Sequence, residues 1–123
     1  MDRNACIDKV FHDYKIKCAK MMRLGKIDNV EMLFSDSESI DKDNYPMQLL
    51  SKMKATKDED ELYIQQVNFS FSLLSRIERK IIMNDFIYKI DRIWYMKELS
   101  RSTYYRIRDR AIKKFLELMG MLQ

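Results

Sequence analysis

The stretch Ser100–Lys114 (SRSTYYRIRDRAIKK) holds the side chains best suited to chemistry. Arg101, Arg106, Arg108, Arg110, Lys113 and Lys114 stand there against one acid, Asp109, among the hydroxyls of Ser100, Ser102, Thr103 and Tyr105. Such a set suits the binding of a polyanion. A guanidinium bonds a phosphate, or the O6/N7 edge of guanine, through two parallel N–H groups. Hydroxyls and the unused amides at a helix start donate to phosphate oxygens, helped by the helix dipole. The same charges also suit a solvated helix face, with Arg106–Asp109 and Asp109–Lys113 at helical spacing.

Other chemistry has few candidates. Cys6 and Cys18 are 12 residues apart in one expected helix, about 18 Å by helical rise and too far for a disulfide. Neither is spaced with His12, the only histidine, as zinc ligands are. Two reduced thiols acting as small hydrophobes fit a cytoplasmic protein. With one histidine and no Gly-rich loop, nucleophile–base pairs and phosphate cradles lack their residues. No enzyme activity, cofactor or metal is expected.

Composition bounds the architecture. The chain has 123 residues, 46% apolar and 34% charged, enough for one domain with one core. The longest uncharged run, Leu62–Ser75, is 14 residues, short of a membrane span. Charges from Asp2 to Lys15 argue against a signal peptide. Two Gly and one Pro leave little material for hairpins. The fold class expected is all-α, a small helical bundle.

The net charge of +4 resolves into three blocks. Residues 1–26 hold seven basic and three acidic side chains, residues 27–74 four and ten, and residues 75–123 twelve and six. Two basic ends therefore flank an acidic middle, which could face a basic partner or keep the chain soluble.

Periodicity predicts the elements that position the basic run. Ile7, Val10, Phe11, Tyr14, Cys18 and Met21 step as a helix over 4–24, with Gly25 at its end. That stripe could pack as core under the C-terminal unit or pair with a second copy. A short helix is expected over 27–34, an acidic loop over 35–45 and a helix from Pro46 to about Lys54. Thr56 and Glu59 predict a capping box opening a helix to about Leu73, and Ser75 with Glu78 predicts another. Residues 91–99 are expected to form a short helix, burying Ile93, Trp94 and Met96 or Leu99. Ser100 then caps a helix over 101–119, with Tyr104, Ile107, Ala111, Phe115, Leu118 and Leu122 inward. Ser102, Tyr105, Arg106, Asp109, Arg110 and Lys113 fall on the opposite side.

A short helix, a tight turn and a long basic helix form the helix-turn-helix plan, in which the second helix enters the major groove of DNA. The 45 residues Leu74–Leu118 resemble region 4 of sigma factors, and more closely the sigma-like regulators of phage late genes of the ArpU/RinA type. They are also similar to an uncharacterised mycoplasma and spiroplasma family. The resemblance rests on Leu74, Glu78 and Arg79 at one helix start, on Ser100–Tyr105 at the next, and on Arg108, Ala111 and Ile112. It departs in having no glycine in the turn, and in Trp94 where a smaller residue is common, so a tighter or differently angled turn is expected. It implies a bacterial or phage DNA-binding transcription regulator with Arg101, Ser102, Thr103, Tyr105 and Arg106 at the DNA surface.

The expectation is thus a region 1–74 with an acidic loop at 35–45, packed as one domain with a helix-turn-helix region, 75–123. Helix 101–119 lies in a major groove, Ser100–Thr103 hold phosphate, and Arg101, Tyr105 and Arg106 read bases. Arg79, Arg108, Arg110 and Lys113 supply flanking phosphate contacts. Double-stranded DNA is the expected partner, with RNA polymerase or a second copy as further possibilities and no membrane. The alternative is a helical interaction or scaffold module, such as one associated with RNA polymerase, that does not bind DNA by itself.

Overall fold

The structure, a computed structural model, describes residues 2–25 and 56–121. Among these residues it is all-helical, with no strand. Helix α1 spans Arg3–Arg23, α2 Glu59–Ser72 and α3 Arg76–Ile82; α3 runs directly into a π turn, Met83–Ile87. A 3-10 turn, Trp94–Lys97, precedes α4, Arg101–Leu118. The expected elements between 27 and 54, and Leu122, lie outside the described residues. No described helix is long and apolar enough to cross a membrane.

Local capping sets the helix boundaries. The Asp2 carboxylate accepts the Ala5 amide at 2.7 Å and starts α1, while Gly25, at φ +71, ends it in the left-handed conformation that glycine adopts cheaply. The expected Thr56–Glu59 box is replaced. Asp58 caps α2 by accepting the Asp60 and Glu61 amides. The Thr56 hydroxyl instead accepts the Asp58 amide and donates to the Glu61 carboxylate at 2.6 Å. A carboxylate next to the first turn satisfies two amides at once and outcompetes a hydroxyl two residues away. The Ser75 box forms as predicted, with Glu78 accepting the Ser75 amide at 2.8 Å.

All six residues of the α1 stripe are buried. They meet Ile64, Val67 and Phe71 of α2, Met83 and Phe86 of the π turn, and Ala111, Ile112 and Phe115 of α4 in one cluster. Phe11 stacks on Phe115 with centroids 5.2 Å apart, and the Tyr14 hydroxyl donates to the Asn68 side chain at 2.7 Å. The stripe therefore serves as core beneath α4, and not as a face left open for a second copy. On α4, Leu118 is exposed, whereas Ile112, Leu116 and Met119 are buried. Because α4 packs on both α1 and α2, its last turns bury a broader face than a single stripe provides.

Candidate nucleic-acid interface

The start of α4 is built by Ser100. Its Oγ accepts the Thr103 amide at 3.3 Å and donates to Thr103 Oγ1 at 2.8 Å. Both hydroxyls are thereby committed to the cap, and the amides of Arg101 and Ser102 fall before the first helical hydrogen bond. The face predicted to point outward does so: Ser102, Tyr105, Arg106, Asp109, Arg110 and Lys113 are all exposed. Tyr104 and Ile107 are buried, as expected. The Arg101 guanidinium lies 5.8 Å from the Tyr105 ring centroid, a cation–π distance that holds the two side chains together.

Further along, Glu78 connects α3 to the basic face. Its carboxylate lies 3.5 Å from Arg110 Nε and 3.8 Å from Lys114 Nζ, with the Arg110 side chain still 62% exposed. Burial would raise the Glu78 pKa, but hydrogen bonds from the Ser75 amide and hydroxyl, with the charges of Lys114 and Arg110, outweigh it and hold it below the ordinary value.

Two arginines expected at phosphate lie elsewhere. Arg79 is 6% exposed, and its Nη1 donates to the Leu74 carbonyl at 2.6 Å and the Ser72 carbonyl at 3.5 Å. It closes the end of α2, where helix carbonyls lack intrahelical donors and attract a cation. Arg108 turns inward over the Phe86 ring, bonds the Asp85 carboxylate at 3.1 Å and reaches the Asn4 side chain at 3.2 Å. A guanidinium held on both sides in this way is not available to a flanking phosphate.

The helix expected over 91–99 is reduced to the 3-10 turn Trp94–Lys97, and of the residues expected inward Trp94 and Leu99 are half-buried against the cluster around Tyr104. Ile93 and Met96 are 58% and 64% exposed, while Tyr95 is buried and stacks on Tyr104 at 3.7 Å, nearly parallel. Trp94 Nε1 donates to Asp85 Oδ1 at 2.9 Å. So short a segment gains little from helix propagation, and these two tertiary anchors on adjacent residues decide its shape. Lys89, at φ 52, makes the preceding left-handed bend that a glycine would ordinarily supply.

Asp85, Tyr95 and Glu78 complete the site without having been assigned a role in it from the sequence. Asp85 had a signal: it is the one carboxylate between Ile81 and Ile90, inside the apolar run IIMNDFI, where a charge must find partners. Cys6 and Cys18 are free thiols, and no group of three metal-ligating side chains occurs among the described residues. No protein-family model matches the chain, and no curated protein or solved structure matches it either.

Proposed function

We propose that the protein is a sigma-like, helix-turn-helix transcription regulator that binds double-stranded DNA through α4. One observation carries the proposal. From Arg101 to Lys113 the exposed face of α4 presents Arg101, Arg106, Arg110 and Lys113 against the single acid Asp109, with Glu117 one turn beyond, while the opposite face is buried in the core. A major groove about 12 Å wide admits one helix with its N-terminal residues at the base edges. In that pose the Arg101 and Ser102 amides and the Ser102 hydroxyl meet phosphate. Arg101, Tyr105 and Arg106 face bases, and Arg110 and Lys113 meet the flanking backbone. This function places the protein in the cytoplasm of a bacterial cell, and the acidic composition of residues 27–74 suits a basic partner such as a polymerase surface.

A second reading, a polymerase-associated interaction module that does not bind DNA by itself, draws on exposed Ile93 and Met96 beside the same helix. Fluorescence anisotropy on a mixed-sequence duplex across a salt series separates the two. The DNA reading expects binding that weakens steeply with salt and is weaker again in Arg106→Ala, which loses one contact of the recognition helix. Absence of binding at low salt by the folded protein overturns it in favour of the second.

A further inference from the structure

Asp85 gathers donors from two elements onto one carboxylate. Trp94 Nε1, from the 3-10 turn, donates to Oδ1 at 2.9 Å. The Tyr104 hydroxyl and Arg108 Nε, one helical turn apart on α4, both donate to Oδ2, Arg108 at 3.1 Å. Its side chain is 11% exposed. Asp85 sits within the π turn Met83–Ile87. A π turn inserts one residue into a helix and re-aims the side chains it carries, and such turns are frequent at functional sites.

The carboxylate is linked by packed rings to the exposed face. Tyr104 takes the Tyr95 ring flat against it and meets the Tyr105 ring 5.0 Å away at 65°. Trp94 lies perpendicular to Tyr104 at 6.0 Å, and Tyr105 in turn carries Arg101. Three directional bonds thus fix both the rotation of α4 about its axis and its offset from the turn before it. Apolar packing alone would leave these degrees of freedom soft, because it has no direction.

We infer that Asp85 is the positioning residue of the DNA site, setting the pose in which α4 presents Arg101 and Tyr105 to the duplex; this rests on the DNA-binding reading above. The inference makes a prediction of opposite sign to simple electrostatics. Asp85→Asn raises the net charge by one, and on charge alone the variant binds a polyanion more tightly. If Asp85 sets the pose, the variant binds more weakly, because an amide has one acceptor oxygen and no charge: either Trp94 or the Tyr104–Arg108 pair loses its acceptor, and Arg108 loses its counter-ion.

The test is anisotropy on the mixed-sequence duplex across a salt series, well below the melting temperature, with far-UV circular dichroism confirming that each variant is folded. The expected result is a loss of about tenfold for Asp85→Asn, comparable to one displaced base contact, with the wild-type salt slope because no phosphate contact is removed. A merely structural role would lower the melting temperature and leave the affinity of the folded protein unchanged. Affinity equal to or tighter than wild type overturns the inference and leaves the DNA reading standing. No wild-type binding at low salt overturns the DNA reading first and the inference with it. Should Asp85→Asn fail to fold, Tyr104→Phe decides, since it keeps the ring stacked on Tyr95 and removes only the hydroxyl that donates to Asp85. Weaker binding by that variant supports the inference, and unchanged binding overturns it.

Discussion

The two ends of α4 are held by different physics. Its C-terminal half is packed by a cluster in which Phe11, Ile64, Phe71 and Phe115 are fully buried. Its N-terminal half rests on a much smaller cluster, Ile81, Tyr95, Tyr104 and Ile107, supplemented by the bonds to Asp85. Burial stabilises in proportion to area and is indifferent to angle, about 1.5–3 kcal/mol for each large side chain. Hydrogen bonds to a charged group contribute roughly 1.5–3 kcal/mol and demand particular angles. One end of the helix therefore supplies stability and the other supplies a defined orientation.

Substitutions at the two ends should separate these roles. The largest loss is expected from Phe115→Ala, about 3–5 kcal/mol by chemical denaturation, because a fully buried ring stacked on Phe11 has no easy replacement. A loss near 1 kcal/mol would mean that the apolar end is not the anchor. Asp85→Ala is expected to cost about 3 kcal/mol, as it leaves the half-buried Arg108 cation without its counter-ion. A cost within about 0.5 kcal/mol, usual for a surface residue, would remove the distinction between the two ends.

A smaller effect concerns pH. The Glu78 pKa is lowered in the folded state, so its contribution is present above the unfolded-state value of about 4.3 and is lost as pH falls through the folded-state value. The melting temperatures of the wild type and Glu78→Gln should converge as pH drops from 7 to 3. A constant gap would show that the carboxylate charge does not matter there. The smallest effect leaves stability untouched. Burial, partly offset by a hydrogen bond with Tyr14, pushes the Cys18 thiol up to about 11, whereas Cys6 is only partly buried. A thiol reagent at pH 8 should label Cys6 first and Cys18 only as the protein unfolds. Equal labelling rates would mean that the apolar end opens readily.

Much of this arrangement was legible locally. The α1 stripe from Ile7 to Met21, the Ser75 capping box, the Ser100 cap and the outward set from Ser102 to Lys113 depend on residues one to four apart. Within one helix, geometry ties such residues directly to each other. The departures share another character. Arg79 and Arg108 read as surface cations because composition registers their charge but not the carbonyls and carboxylate waiting for them. Residues 91–99 read as a helix because their apolar residues suit one, yet Tyr95 is claimed by Tyr104 and Trp94 by Asp85.

The sequence by itself determined the helical class, the ends of α1 and α4, the start of α3, and which face of α4 carries the charge, because each follows from periodicity and capping along a continuous chain. Only the tertiary structure decided which arginines remain outside. Asp85 meets Tyr104 and Arg108 across 19 and 23 residues, and Arg108 meets Asn4 across 104. A buried charge takes whichever partner the packed helices bring to it, and spacing along the chain does not encode that choice.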